Sequence, residues 1–170
     1  MRISRSTDDI LTISRLGEAE MEMLRRLRDA ADPSACPDAE ERLYPDPIRG
    51  QPPETIAEDV ADWKNFVVPD LRTRNVEALE RVEADVRNAR PSGKRRKPQF
   101  EIAIAIDAVD QWYSALNQAR LVLQEKYHLP DEHEVLSLER LFARGQWRAY
   151  FQSRFYAEIQ CWLLELVMRP

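Results

Sequence analysis

The stretch "FEIAIAID", Phe100 to Asp107, decides how the chain folds. Phe100, Ile102, Ile104 and Ile106 alternate with Glu101, Ala103 and Ala105. Successive side chains of a strand point to opposite faces, so this alternation predicts a half-buried strand. A helix competes for the same residues, because Ile102, Ile106, Val109 and Trp112 also share a helical face and alanine suits either state. Asp107 tips the balance: with Asp110 three residues on, it resembles a capping box opening a new helix. The stretch therefore reads as a short strand followed by a helix to about Tyr127, with Val109, Trp112, Tyr113, Leu116, Ala119 and Leu123 turned inward.

A strand needs a partner, and the N-terminus offers one. Arg2–Ser6 and Ile10–Ser14 flank Thr7-Asp8-Asp9, and the second run alternates Ile and Leu with Thr and Ser, which predicts a β-hairpin. The remainder reads as helix. "GEAEMEMLRRLRDAA" has acids in its first turn, where the helix dipole favours them, and Met21, Met23, Leu24 and Leu27 on its apolar side. Residues 32–53 hold six prolines and form a long connection with at most one helical turn around "AEERLY". A second helix carries Ile56, Val60, Trp63 and Val67 on one face and breaks or kinks before Pro69. A third runs over about 70–89 with Leu71, Val76, Leu79, Val82 and Val86 inward. After Pro130 comes a short helix in "VLSLERLFAR". The last helix, "QWRAYFQSRFYAEIQCWLLELVMR", is the most apolar, with Phe151, Phe155, Ile159, Trp162, Leu163 and Leu166 predicted inward as the central core element. The expected fold is one mainly α domain over residues 1–170: a helical bundle of about five helices with a small antiparallel β element near the N-terminus, a Pro-rich connection at 32–53 and a basic loop at 90–98.

Composition narrows the function classes. The chain has 170 residues, 44% hydrophobic and 32% charged, with a net charge of −5. This is a folding composition, and its sign opposes a free nucleic-acid binder. The two cysteines, Cys36 and Cys161, have no metal-site spacing, and no signal-length apolar run opens the chain, which points to the cytoplasm. No stretch has the length and apolarity of a membrane span. Four glycines leave little for phosphate-cradling loops, and no G-x-S-x-G, P-loop or G-x-G-x-x-G occurs.

Three groups of residues stand out as candidate sites. Both histidines lie in "HLPDEHE", yet His128 and His133 are five apart with Pro130 between them, so they cannot share a helical face. Zinc-binding helices place histidines at i and i+4, and the spacing therefore argues against a metal. "GKRRK", with Lys94, Arg95, Arg96 and Lys97, is the one dense basic run; without interleaved aromatics it reads as a solubilising loop. Arg120 lies between Leu116 and Leu123 on an apolar stripe, beside Asn117. A half-buried guanidinium needs partners, and Asp70 is the candidate carboxylate. An internal salt bridge is the favoured reading of Arg120; a groove for an anion or a partner is the other.

"RLYPD" (Arg42 to Asp46), "VVPDLRTRNVEAL" (Val67 to Leu79) and "DQWYSALNQARLVLQEKY" (Asp110 to Tyr127), followed by an apolar Trp-Leu helix, resemble a bacterial domain-of-unknown-function family. Its members look like "RLLPD", "DLR" and "W-x-ALND-x-RL-x-LG". Gln118 stands where that pattern has Asp, and Glu125 where it has Gly. Genes of the family often lie beside those for the Clp-protease adaptor and a JAMM-type metallopeptidase. The resemblance implies a cytoplasmic partner-binding or regulatory role near protein turnover or sulfur transfer, and no catalytic residues.

The expected function is thus a non-enzymatic adaptor or regulator that binds another protein, with self-association into a homodimer as one form of that binding and no cofactor. The alternatives are a nucleic-acid-linked regulator using the basic loop and an enzyme with a site around Asn117 and Arg120. The first alternative is directly testable. Titration against duplex DNA and single-stranded RNA should show no micromolar binding at physiological salt; binding lost when Lys94, Arg95, Arg96 and Lys97 are neutralised would establish it instead.

Overall fold

The isoleucine alternation is realised as a strand, and the sheet it completes is larger than a hairpin. The computed structural model describes residues 1–6, 9–45, 57–93, 98–130 and 138–168. Strands β1 (Arg2–Arg5) and β2 (Ile10–Leu16) form the N-terminal hairpin; β3 (Arg90–Ser92) and β4 (Gln99–Ala105) form a second one. β2 and β4 pair antiparallel, giving one four-stranded sheet in the order β1-β2-β4-β3. Ile13 lies opposite Ile102 and Leu11 opposite Ile104. All four are fully buried.

β2 keeps its inward face by a change of phase. Leu11 and Ile13 point inward, so strict alternation would bury Arg15 and expose Leu16. Between Ile13 and Leu16 the register slips by one residue. Arg15 occupies the left-handed region at φ 60 and stays exposed, while Leu16 pairs with Phe100 and is fully buried. The bulge thus delivers a third core side chain and keeps the guanidinium in water.

Helices cover the inner face of this sheet. α1 (Glu18–Arg25) begins where the Glu20 carboxylate accepts the Gly17 N–H; a short helix α2 (Leu27–Ala30) follows. Inside the Pro-rich connection α3 (Pro37–Leu43) makes nearly two turns, starting with proline in its first turn, where its missing N–H costs nothing. α4 (Ala57–Asp62) runs through a π-helical turn at Trp63–Val67 into α5 (Val68–Arg87). The expected break before Pro69 is this wide turn: proline has no N–H for the carbonyl four residues back, and an i→i+5 turn makes room for its ring without ending the helix. α6 (Val109–Tyr127) follows a 3-10 turn at Ile106–Ala108 that contains Asp107, and no side chain caps it, so the expected capping box does not form. α7 (Leu138–Ala143) and α8 (Trp147–Met168) complete the chain.

Three expectations are corrected. The fold is mainly helical but mixed α/β, neither all-α nor a helical bundle, because the sheet is a core layer: Leu11, Ile13, Leu16, Ile102 and Ile104 are fully buried. β3 is absent from the expected elements because three residues including Pro91 carry no strand pattern. The central element is α6, which packs against α2, α3, α5 and α8. α8 instead turns Phe151 and Trp162 outward, and on α5 the outward residues include Val76. Trp112 of α6 is fully buried, and its indole N–H donates to Asp85 of α5 at 2.8 Å. Tyr156 of α8 is likewise buried and donates to the Met23 carbonyl at 2.6 Å; burial pushes its phenol well above the usual range.

The left-handed backbone at Arg15 yields a stability prediction. Arg15→Gly should be neutral or stabilise by up to about 1 kcal/mol, since only glycine adopts this conformation without a steric cost. Arg15→Val should destabilise by about 1–2 kcal/mol. Urea unfolding with an unchanged slope measures both; an Arg15→Val protein of wild-type stability would contradict the bulge.

Candidate functional site

The helix ends, the buried polar side chains and the concave surfaces place each candidate residue. His128 ends α6 in the left-handed region at φ 47. Its N–H reaches the Glu125 carbonyl and that of Leu129 reaches Gln124 at 3.0 Å, while Leu129 is buried. This is a Schellman closure, one of the few roles for a non-glycine residue at positive φ. Gln146 seals it from outside, donating to the Tyr127 carbonyl at 2.6 Å. His128 is therefore exposed at a helix terminus, and among the described residues no group of metal-ligating side chains gathers. His133 and Lys94, Arg95, Arg96 and Lys97 lie outside the described residues.

Arg120 is half-buried on the face of α6 that meets α8. Its Nη1 donates to Oε1 of Gln160 at 2.7 Å, and Nε2 of Gln160 donates to the Tyr113 carbonyl at 3.0 Å. Gln160 is itself buried. The partner on α8 is thus a neutral amide. Asp70 is exposed in the first turn of α5, and Asn117 is half-buried on α6.

Gln118, two residues before Arg120 and roughly 200° away around the helix, faces α5. It is one of the few buried polar side chains, 5% exposed, and its Nε2 donates to the Asn75 carbonyl at 3.4 Å. It lines a cleft of about 480 Å³ between the α2 end, α3, α5 and α6. Here the three quoted motifs converge: Tyr44 from "RLYPD", Arg72 and Asn75 from "DLRTRNVEAL", Gln118 from "WYSALNQAR". The Asn75 amide donates to the Tyr44 hydroxyl at 3.2 Å. Arg72 lies over the Tyr44 ring and pairs with Glu40. Arg28 grips Glu83 through two bonds of 2.6 and 2.8 Å, which raises the guanidinium and lowers the carboxyl relative to their ordinary values. Asp32 accepts the Ser34 N–H at 2.9 Å and its hydroxyl at 2.8 Å, and these bonds hold its carboxyl below the usual range. Because Glu83 and Asp32 are lowered on folding, each contributes stability that is present above its unfolded-state range and is lost as the pH falls through the lowered value.

A second concave surface lies between α1 and α8. It encloses about 820 Å³, with Met23, Phe151, Phe155 and Trp162 as its apolar parts and Glu20, Arg154, Glu158 and Glu165 among its charged ones. Phe151 is 46% and Trp162 41% exposed. Cys161 is an exposed free thiol beside them.

Sequence reasoning finds Arg120 because a charge on an apolar stripe is conspicuous. It misses Gln118 and Asn75, neutral residues that read as solvated; the proximity of "RLYPD" and "DLR" is not legible, since it depends on how α3 packs. The Arg120 assignment is open to measurement. Arg120→Ala should lose about 1–3 kcal/mol, through the lost charge-assisted bond to Gln160 and the lost packing of its stem, and Arg120→Ala with Gln160→Ala should be non-additive by about 1 kcal/mol. A loss below about 0.5 kcal/mol would mean the Gln160 contact does not hold the helices together.

No curated protein and no solved structure shows a significant match to the chain. A family model does match, over residues 2–167, and its description is a domain of unknown function, DUF2017. That span takes in both strand pairs, all three motifs and nearly the whole of α8. With almost the full length matched, the chain belongs to the DUF2017 domain family.

Proposed function

We propose that this protein is a non-enzymatic adaptor or regulator that binds another protein. One observation carries the reading: α8 exposes Phe151 and Trp162 along its groove with α1. Large aromatics left in water on a rigid helix are the side chains that dominate protein interfaces, and contiguous exposed apolar surface marks such sites. The charged groups beside them, Glu20, Glu158 and Glu165 against Arg154, favour a partner segment with apolar anchors and basic flanks. An enzyme is less well supported, because in the motif cleft Arg28, Arg72, Asp32 and Glu40 already satisfy one another or nearby groups. Among the described residues no helix is long and apolar enough to cross a membrane. The gene neighbourhood associated with the family directs the search for the partner to protein turnover.

Phe151→Glu and Trp162→Glu should leave the fold intact, since both side chains are exposed, and should abolish retention of the proteins that wild type captures from native extract. Light scattering of the purified proteins distinguishes a second copy as the partner, in which case wild type is dimeric and the variants monomeric. Identical captured proteins and oligomeric state for wild type and both variants would overturn the assignment of this face.

A further inference from the structure

The outward stripe of α8 has the spacing of a coiled-coil seam and a charge pattern that is its own complement. Arg148, Phe151, Phe155, Glu158, Trp162 and Glu165 follow one another at intervals of three, four, three, four and three residues. That repeat keeps a row of side chains facing one neighbouring helix. All but Phe155 are exposed, and Phe155 lines the groove beside them. The first half of the row is basic, with Arg154 on its flank, and the second half is acidic. Among the described residues Arg148, Arg154, Glu158 and Glu165 have no ion-pair partner within 4.0 Å. Arg148 rests on the Trp147 ring, which leaves its charge unanswered.

We propose that the occupant of this face is a second copy of the chain, with the two α8 helices antiparallel about a two-fold axis near Tyr156 and Ala157. The proposal rests on the reading of the face as a protein-binding one and names its partner. In that register Phe151 meets the second copy's Trp162, Arg148 meets the second copy's Glu165, and Phe155 covers the stem of the second copy's Glu158. Two-fold symmetry makes each contact twice. Arg154, on the flank of the seam, reaches the second copy's Glu158 carboxylate. Both exposed aromatics leave water and all four charges gain a counter-charge. A parallel pair would instead set Arg148 on Arg148 and Glu165 on Glu165. A foreign segment with basic flanks would answer Glu158 and Glu165 but leave Arg148 and Arg154 facing cations. The segment with an apolar anchor and basic flanks that suits the groove is present in the chain itself, as Phe151 between Arg148 and Arg154.

Sedimentation equilibrium of the full chain, with reversal of one charge at a time, tests it. Wild type should dimerise reversibly at micromolar concentration, and more weakly in high salt. Arg148→Glu and Glu165→Arg should each weaken the dimer by about tenfold or more, because each sets like charges opposite one another. The two substitutions together should restore it to within about threefold of wild type, since the pair is coupled. Both positions are exposed, so the circular dichroism of every variant should match wild type. A chain that stays monomeric up to millimolar concentration would overturn the proposal. If Phe151→Glu and Trp162→Glu then still lose the proteins captured from extract, the protein-binding reading of the face stands and its occupant is a foreign one. A dimer indifferent to both single reversals, or one that the double reversal does not restore, would overturn the proposal as well.

Discussion

Everything in this fold leans on α6, a helix buried on more than one side. A helix in contact with four others has little surface left for water, so the polar residues on its packed faces have to find protein partners instead. Trp112 turns its indole N–H to Asp85 on α5. Gln118 faces the same helix higher up, and Arg120 meets Gln160 on α8. Each of these fixes the rotation of α6 relative to one neighbour, and together they leave it a single setting. The sheet is held in the same way, through the buried isoleucines and leucines of β2 and β4.

The two concave surfaces follow from that setting. The cleft exists because α3 and α5 approach α6 along the flank carrying Gln118, which draws "RLYPD", "DLR" and "ALNQAR" into one place although they are far apart in the chain. The groove exists because α8 spends one face on α6 and leaves another beside Glu20 and Met23 of α1 largely uncovered. One surface is polar and nearly self-neutralised; the other is aromatic with a charged border. They suit different occupants.

Legibility in the sequence tracks the kind of physical signal. The strand at Gln99 to Ala105 is legible because alternation is local, although the same isoleucines also suit a helical face. Helix α6 is legible in length and in most of its inward residues. The bulge at Arg15 is not, since a left-handed arginine leaves no mark in composition, and its reason lies in the phase of the opposite strand. The outward turn of Phe151 and Trp162 is not either: a helix with large apolar residues on more than one side gives weak periodicity to say which face is covered. Arg120 announces its need for a partner by its charge, but Gln160 is a neutral residue forty positions away whose role depends on the packing of two helices. Gln118 and Asn75 are silent for the same reason.

The pairing of β2 with β4 has a consequence for how the chain reaches this structure. Ile13 and Ile102 face each other across the sheet, so the loop closed by that contact takes in helices α1 to α5. Closing so long a loop costs chain entropy before any contact rewards it, and topologies rich in such contacts fold slowly. During synthesis the N-terminal hairpin emerges long before β4 exists. Until then Leu11, Ile13 and Leu16 have no sheet to complete and no core to enter, and the inner edge of β2 is an open template for any other strand. The inner edge of the hairpin is therefore made early and protected late, when the strand beginning at Gln99 arrives to close the sheet.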